Sequence, residues 1–337
     1  MSESQSERPL ILCADRFYLS AEALKKLVEV GKVVWSKTGK EEELIMEAKE
    51  AVVIASEYGR ITARVIGEAA KLKAIAVWGV GYDHVDVEAA SSQGVFVTNC
   101  RGANSESVAE HAFSMLLALS RRVLALDRFV RRGHWNMQQE SNLSRAIVPH
   151  DVYGKTIGII GFGEIGSRIA RIARGFDMGI LCYDPYVPIE RLKEFNATAV
   201  PLEELLKASD FISVQTVLSP ETRGMIGEAQ FALMKPSSIL VNVSRGAVID
   251  QAALVKVLEE KRIVAAGLDV FTKEPLDSRD PLMNLDNVVL SPHVAGGSQE
   301  ALDRTSMVLV EEICRVLLGE APRNLVNRPQ LQKRGFL

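Results

Sequence analysis

The sequence feature that most constrains the fold is a glycine-rich turn that joins an apolar run to a helical stretch. The run Thr156–Ile160 has the β-branched composition of a buried strand, and Ser167–Ala173 has helical spacing. Between them, Gly161–Gly166 carries the pattern G-x-G-x-x-G. The pattern alone is weak, but a strand before it and a helix after it are the context of dinucleotide binding. The sequence therefore predicts a nucleotide-binding βαβ unit.

Each glycine of this turn has a separate physical role. Gly161 permits the tight turn, Gly163 lets the backbone approach a pyrophosphate, and Gly166 lets the helix pack closely against the strand. The phosphates are then expected on the exposed amides at the positive end of the helix. Asp184 ends the next strand of the unit. Because a carboxylate there accepts both ribose hydroxyls of NAD and repels the 2′-phosphate of NADP, we expect NAD as the cofactor.

Short apolar runs alternate with helical stretches along most of the chain, which predicts parallel sheets covered by helices. Five strands are expected first, at Leu10–Ala14, Val33–Trp35, Ala51–Ala55, Ala74–Trp78 and Val95–Thr98. Two long helices follow, about Val108–Leu119 and Arg122–Arg132. Six further strands are expected at Thr156–Gly161, Ile180–Tyr183, Phe211–Gln215, Ile239–Val243, Ala265–Asp269 and Val288–Leu290. This second series is what a doubly wound dinucleotide fold requires.

The order of these elements predicts two α/β domains. A last helix, about Ser298 to Gly319, follows a complete six-strand series and is therefore assigned to the first block; a polar tail follows it. We expect one doubly wound domain from residues 9–102 and 298–337 and another from 103–297, after a disordered leader at 1–8. A length of 337 residues with 47% hydrophobic residues suits two such domains.

Composition excludes several classes of protein. The net charge of −3 offers no basic surface for nucleic acid or anionic lipid, and no apolar run is long enough to span a membrane. The four cysteines are widely separated, and no His, Cys or Asp spacing is typical of a metal site. Together with an N-terminus that lacks a secretory signal, these thiols predict a cytoplasmic protein.

Three polar residues follow late strands of the second series. Arg245, Glu274 and His293 come after the expected strands ending at Val243, Asp269 and Leu290. Ligands of open α/β sheets bind outside the carboxyl ends of the strands, so the three side chains are expected to converge. A guanidinium grips a carboxylate at two points, an imidazole exchanges a proton near neutral pH, and a carboxylate beside it stabilises the imidazolium. The set predicts acid–base chemistry on an anionic substrate.

Several stretches together resemble the D-isomer-specific 2-hydroxyacid dehydrogenase family, over about Leu10 to Pro322. They are Gly79–Asp83, Ser107–His111, Gly161–Gly166, Tyr183–Pro185, Asn242–Gly246, Gly267–Phe271 with Glu274-Pro275, and Ser291–His293. The resemblance implies a Rossmann NAD-binding domain inserted in a smaller, discontinuous flavodoxin-like substrate domain. It also implies a homodimer built on the NAD-binding domains, with Val108–Arg132 supplying much of the interface; the alternative for that segment is an ordinary pair of core helices.

The same resemblance implies roles for the catalytic and substrate-binding residues. His293 would donate a proton to the keto oxygen, with Glu274 as its partner. Arg245 would anchor the carboxylate and the carbonyl of the substrate. The backbone of Val80 and Gly81 would bind the substrate carboxylate from the other domain.

The resemblance also implies the cofactor contacts. The amides of Glu164 and Ile165 would face the pyrophosphate. Thr222 and Val243 would line the cofactor site, and Asp269 would orient the nicotinamide amide.

The chain departs from the family pattern in two places. Gln215-Thr216-Val217 replaces the usual His-x-Pro beside the adenosine half of the site, which weakens the prediction of NAD over NADP. Ala55–Arg60 replaces the usual Arg-Ser stretch of the substrate loop, and Glu57 in it disfavours a second anionic group unless Arg60 offsets it.

We therefore expect an NAD-dependent oxidoreductase that acts on a small 2-oxo acid, such as glyoxylate or hydroxypyruvate, or on the corresponding D-2-hydroxy acid. A D-3-phosphoglycerate dehydrogenase is the alternative substrate assignment. An NAD(H)-sensing, corepressor-like binding protein is the alternative from another class.

Overall fold

The computed structural model describes residues 8–135 and 148–337, so the expected leader lies outside the described residues except for Arg8. The strands, numbered along the chain, are β1 (Leu10–Cys13), β2 (Lys32–Trp35), β3 (Ala51–Ser56), β4 (Ala74–Val77), β5 (Phe96–Thr98), β6 (Thr156–Ile160), β7 (Gly179–Tyr183), β8 (Ala197–Ala199), β9 (Phe211–Val214), β10 (Ile239–Asn242), β11 (Ala265–Leu268) and β12 (Val288–Leu290). The helices are α1 (Ala21–Val30), α2 (Glu41–Glu47), α3 (Ala63–Glu68), α4 (Val87–Ser92), α5 (Ser105–Ser120), α6 (Val123–Arg131), α7 (Glu164–Gly175), α8 (Ile189–Lys193), α9 (Leu202–Ala208), α10 (Glu228–Phe231), α11 (Gln251–Glu259), α12 (Gln299–Leu317) and α13 (Arg328–Lys333).

The chain forms two compact units. The first comprises the described residues up to Asn104 together with Gly297–Leu337, and the second comprises Ser105–Gly296. The second unit is therefore an insertion in the first, which is assembled from both ends of the chain.

The first unit is built on a five-stranded parallel sheet in the order β2-β1-β3-β4-β5, the order of flavodoxin-like folds. Successive residues of a strand point to opposite faces, and the buried residues divide accordingly. Ile11 and Cys13 of β1 belong to one apolar cluster, while Leu12 and Ala14 belong to another. Both faces of this sheet are therefore covered, as a parallel sheet requires.

The second unit is built on a seven-stranded parallel sheet in the order β12-β11-β10-β9-β6-β7-β8. The strand order reverses between β6 and β9, which makes the carboxyl ends of these two strands the place for a ligand crevice. The expectation of six strands was wrong by one. β8 was missed because only its first residue, Ala197, is buried and the strand carries no apolar run.

The long helix α5 is a core helix of the second unit. It begins at Ser105, earlier than expected, and packs against α7, β10 and β11. Its buried residues include Val108, Phe113 and Leu116, which join the same apolar cluster as Ile157 of β6. Much of α5 therefore lies in the core of its own unit, and the interface expected for Val108–Arg132 stays a prediction.

The segment after α12 is not merely a polar tail. Val326 N–H donates to Val97 O at 2.7 Å, and Asn327 and Leu331 are fully buried.

Within the described ranges, no helix is long and apolar enough to cross a bilayer.

Candidate active site

The glycine-rich turn of the second unit has the geometry of a pyrophosphate cradle. Gly161 has a φ of +92°, which L side chains rarely adopt. A Cβ on Gly166 would lie 2.3 Å from Gly161 O, so the helix approaches the strand as closely as only glycine allows. A Cβ on Gly163 would meet nothing within 4 Å, so the backbone there borders open space. A ligand can reach the turn from that side.

Helix α7 offers unpaired backbone donors at this turn. The hydrogen bond from Ser167 N–H to Gly163 O, at 3.1 Å, opens the helix, and the N-cap Gly163 has no side chain to cap it. The N–H groups of Glu164 and Ile165 precede that bond and so have no partner within the helix. They lie at its positive end, where an anion binds favourably.

The carboxylate of Asp184 lies directly beside the turn. Its Oδ2 accepts the Phe162 N–H at 2.8 Å, and its Oδ1 accepts the Tyr186 N–H at 2.9 Å. A carboxylate has about four acceptor positions, so lone pairs remain for ribose hydroxyls. Next to the turn, the buried Oε1 of Gln215 has no hydrogen-bond partner among the described residues. The open space at Gly163, the amides at the start of α7 and the acceptors of Asp184 and Gln215 together fit a dinucleotide.

The remaining expected cofactor residues lie along the same edge of the sheet. Thr222 follows β9, and its Oγ1 donates to Val217 O at 2.6 Å. Val243 follows β10 and is buried. Asp269 follows β11 and is fully buried, where its carboxylate accepts the Val294 and Ala295 N–H groups at 2.9 Å each.

His293 and Glu274 form a close hydrogen-bonded pair. His293 Nδ1 lies 2.7 Å from Glu274 Oε2, and Glu274 Oε1 accepts the Phe271 N–H at 2.9 Å. Both side chains are partly exposed, at 37% and 35%. Because Nδ1 is bonded to the glutamate, Nε2 is the ring nitrogen that can exchange a proton with a ligand.

The Glu274 carboxyl is held in its charged form. Burial raises its pKa, but the hydrogen bonds from His293 and Phe271 and the positive charges of His293 and Arg245 lower it. The net pKa lies below the ordinary value, so Glu274 is a carboxylate at neutral pH.

The loop that carries Arg245 is fixed by buried groups. Asn242 is buried, and its side chain accepts the Ser244 N–H at 3.0 Å and donates to Arg245 O at 3.1 Å. A Cβ on Gly246 would lie 1.9 Å from the carbonyl carbon of Phe271, so this loop lies directly against the segment leading to Glu274. Arg245 Nη1 donates to Ser244 O at 2.8 Å, which orients the guanidinium.

The structure therefore brings the expected residues of the second unit to one sheet edge. The glycine turn, Asp184, Thr222, Arg245, Glu274 and His293 follow β6, β7, β9, β10, β11 and β12. Val80 and Gly81 belong to the other unit, after β4. The sequence analysis assigned no role to Asn242 or Gly246. A polar asparagine at the end of an apolar strand could have indicated that Asn242 orients the following loop. In the described part of the chain, no cluster of His, Cys, Asp or Glu is placed to hold a metal ion.

Comparisons with known proteins agree with this architecture. Residues 113–295 match the family model of the D-isomer specific 2-hydroxyacid dehydrogenase, NAD binding domain. A glyoxylate reductase from Korarchaeum cryptofilum is 45% identical over 81% of this chain and 82% of its own length. A D-3-phosphoglycerate dehydrogenase from Methanocaldococcus jannaschii is 40% identical over 93% of this chain, which spans only 59% of that protein.

A solved structure is similar over almost its whole length. It is an acyclic imino acid reductase in complex with NADPH and D-Arg, with a TM-score of 0.85 and 31% sequence identity. The similarity covers 94% of this chain and 99% of that one.

The fold and the sheet-edge site define a two-domain α/β oxidoreductase whose NAD-binding Rossmann domain is inserted in a smaller flavodoxin-like domain. The chain belongs to the D-isomer-specific 2-hydroxyacid dehydrogenase family. It is therefore an NAD-dependent enzyme that acts on 2-hydroxy acids, and the alternative of a non-catalytic, NAD(H)-sensing protein is not supported.

Proposed function

We propose that the chain reduces a small 2-oxo acid, with glyoxylate or hydroxypyruvate as the first candidates, to the D-2-hydroxy acid. The observation that carries the proposal is the 2.7 Å hydrogen bond between His293 Nδ1 and Glu274 Oε2, because it leaves Nε2 as a proton donor. The similarity to a glyoxylate reductase over most of both chains supports the small substrate.

His293 acts as the general acid of the reduction. When bound, the reduced nicotinamide cofactor supplies the hydride that forms the new C–H bond at the keto carbon. As the C=O π bond breaks, Nε2 of His293 gives its proton to the oxygen, and the ring takes a proton from solvent afterwards. Glu274 orients the ring and stabilises its protonated form. In the oxidation of a hydroxy acid, the neutral ring accepts the proton.

Arg245 holds the substrate by its carboxylate and its carbonyl oxygen. A planar guanidinium forms two parallel hydrogen bonds with a carboxylate, which fixes the orientation of the keto carbon. Its own orientation, set by Ser244 O, supports this role.

The amides of Val80 and Gly81 form a second site for the substrate carboxylate. Gly79 O accepts the Cys100 N–H at 2.7 Å, and Val80 O accepts Asn99 Nδ2 at 2.7 Å. In a trans peptide the N–H points opposite to the C=O, so both N–H groups face away from the end of β5. Neighbouring amides that point the same way form a cavity suited to an anion.

The cofactor contacts follow the same sheet edge. The Glu164 and Ile165 amides bind the pyrophosphate, Thr222 and Val243 line the site, and Asp269 orients the nicotinamide amide. The free amides of α7 and the buried carboxylate of Asp269 support these roles.

The loop after β3 disfavours a phosphorylated substrate. Asp15 accepts the N–H groups of Glu57, Tyr58 and Gly59 at 2.9, 2.6 and 2.7 Å, so its carboxylate lies within this loop. With the Glu57 carboxylate, the loop carries two acidic groups, and Arg60 follows in the same loop. A second anionic group on the substrate is repelled there.

A screen of NADH consumption over a panel of 2-oxo acids tests the substrate. We expect the highest kcat/KM with glyoxylate or hydroxypyruvate and a lower value with 3-phosphohydroxypyruvate. The reverse order would assign the chain as a D-3-phosphoglycerate dehydrogenase, the alternative that the relative from Methanocaldococcus jannaschii supports. No turnover of any 2-oxo acid would overturn the proposal.

Asp184 is proposed to select NAD over NADP. Substitution Asp184→Ala removes both ribose hydrogen bonds and the charge that repels a 2′-phosphate. We expect the ratio of kcat/KM for NADH to that for NADPH to fall toward one. An unsubstituted enzyme that already prefers NADPH would show this interpretation to be wrong.

We further propose a homodimer in the cytoplasm. Because α5 is buried within its own unit, the interface proposal now rests on α6, where Val123, Leu124 and Val130 are 52%, 46% and 50% exposed. Such a row of apolar side chains favours association. All four cysteines are free thiols, which fits a reducing compartment.

A further inference from the structure

His111, on α5, is linked to the loop that carries His293. His111 Nε2 lies 2.9 Å from Ser291 Oγ, and Ser291 Oγ lies 2.5 Å from Asp269 Oδ1. His111 Nε2 itself is 3.7 Å from Asp269 Oδ1, too far for a hydrogen bond. The contact between the histidine and the buried carboxylate therefore runs through the serine hydroxyl.

The direction of these hydrogen bonds follows from what each group can donate. A carboxylate only accepts, so the Ser291 hydroxyl donates its hydrogen to Asp269. The serine oxygen then has only lone pairs to offer His111, so Nε2 of His111 carries a hydrogen and donates it. The order is His111 to Ser291 to Asp269.

Asp269 holds the His293 loop at several points. Its carboxylate accepts the N–H groups of Val294 and Ala295 at 2.9 Å each, and its backbone oxygen accepts the His293 N–H at 2.8 Å. His293 itself has a φ of +52°, in the left-handed region that is unfavourable for a non-glycine residue. Such a conformation persists only where surrounding bonds determine it, and here they converge on Asp269.

We propose that His111 is a positioning residue for the reduction, a role that rests on the proposed function of His293. By donating to Ser291, it fixes the serine hydroxyl on Asp269, and the carboxylate oriented in this way holds the Val294 and Ala295 amides. Without that donor, the hydroxyl is free to rotate away, and Asp269 loses one of the bonds that orient it. His111, on α5, therefore restrains the backbone of the loop that carries His293.

A double-mutant cycle tests whether His111 acts through Ser291. Leucine approximates the volume of histidine without a donor, and glutamine places an amide N–H close to the position of Nε2. We expect His111→Leu and Ser291→Ala each to lower kcat about tenfold. The double variant should be no slower than Ser291→Ala alone. His111→Gln should recover most of kcat, but only while Ser291 is present.

Hydrogen exchange gives a readout that does not depend on turnover. The amides of Val294 and Ala295 are bonded to Asp269, so exchange in a peptide covering residues 291–296 reports how firmly the loop is held. We expect about tenfold faster exchange in His111→Leu and in Ser291→Ala than in the unsubstituted enzyme. Glu110→Gln, an exposed neighbour on α5, is the matched control and should change neither exchange nor kcat.

Three results would overturn this role for His111. They are additive losses in the double variant, equal losses in the leucine and glutamine variants, and unchanged exchange in the 291–296 peptide. Failure of the proposed function is distinguishable from these. If the unsubstituted enzyme reduces no 2-oxo acid, the exchange rates of the same variants still decide whether His111 holds the loop.

Discussion

At the scale of single residues, the site depends on a few atoms held by neighbours that do no chemistry. Glu274 Oε1 is occupied by the Phe271 N–H, which leaves Oε2 for His293 Nδ1. Arg245 is held in the same way by Ser244 O and Asn242. The reactive groups are therefore oriented before a substrate arrives, which reduces the reorganisation needed in the transition state.

The planar shape of Arg245 should matter more than its charge. Arg245→Lys keeps the charge but cannot form two parallel hydrogen bonds with a carboxylate. We expect kcat/KM for the 2-oxo acid to fall at least about 100-fold, or about 2.7 kcal/mol of transition-state stabilisation. Arg279→Lys is the control, because Arg279 is 89% exposed on a surface loop. A lysine variant of near-normal efficiency would remove Arg245 from the carboxylate site.

Glu274 should act through its charge. Glu274→Gln keeps the shape and a hydrogen bond but removes the negative charge beside the ring of His293. We expect kcat for the reduction to fall about 100-fold, because the charge no longer assists the proton transfer. Steady-state kinetics of the two forms with the same 2-oxo acid measure this effect. A near-normal kcat in the Gln variant would mean that Glu274 only positions the ring.

The lowered pKa of Glu274 also makes the stability of the folded protein depend on pH. Because its pKa is lower in the folded state, its stabilising contribution is present above the ordinary glutamate value and is lost as pH falls through the lower folded value. We expect the Gln variant to melt below the unsubstituted enzyme at neutral pH and the two melting temperatures to converge at more acidic pH. Parallel curves down to the acid range would contradict the charge argument.

At the scale of elements, the β6–α7 unit combines two demands on its glycines. Gly166 serves packing, because its α-carbon lies against Gly161 O, while Gly163 serves access, because space above it is open. A substitution at Gly166 should therefore affect mainly stability, and a substitution at Gly163 should affect mainly cofactor binding.

The pair Gly163→Ala and Gly166→Ala separates these demands. An alanine at 166 places Cβ 2.3 Å from a backbone oxygen, so the backbone must shift, and we expect a loss of about 1–3 kcal/mol of stability. An alanine at 163 meets no atom of the protein and should leave stability nearly unchanged, but it should weaken NADH binding about tenfold or more. Thermal melting without cofactor and fluorescence titration with NADH measure the two effects. Normal NADH affinity in the 163 variant would place the pyrophosphate elsewhere.

At the scale of the whole molecule, the first unit is closed by residues far apart in sequence. Asn327 is fully buried, where its side chain accepts the Val97 N–H at 2.9 Å and donates to Val95 O at 2.9 Å. Glu312 of α12, also buried, accepts the Arg323 N–H at 2.8 Å. The C-terminal segment is therefore part of this unit and covers the edge of β5.

Removing the Asn327 amide should destabilise the protein. Asn327→Ala leaves the buried Val97 N–H and Val95 O without partners, and we expect a loss of about 2–3 kcal/mol in the free energy of unfolding. Gln332→Ala, on the exposed side of α13, should change stability by less than about 0.5 kcal/mol. Denaturation in urea measures both. Equal stability of the two variants would mean that the segment is not needed to close the unit.

Much of the fold and of the site could be predicted from local patterns. Buried parallel strands are short apolar runs, so most strands were located within a residue or two, and the glycine turn identified the nucleotide-binding unit. Arg245, Glu274 and His293 could be grouped because each follows a strand, and parallel strands end at one edge. The exception was β8, whose exposed residues carry no such pattern.

The order of elements, the dinucleotide site and the acid–base residues were all predictable from the sequence, since each depends on burial or spacing within a short stretch. Three features required the folded structure: the burial of α5 in its unit, the hydrogen bonds of Asn327 across the first unit, and the contact of His111 with Ser291, 180 positions away. Local sequence specifies which faces are buried, but it does not specify which distant side chains meet there. Such a meeting depends on how the helices pack on the sheet, which no short pattern encodes.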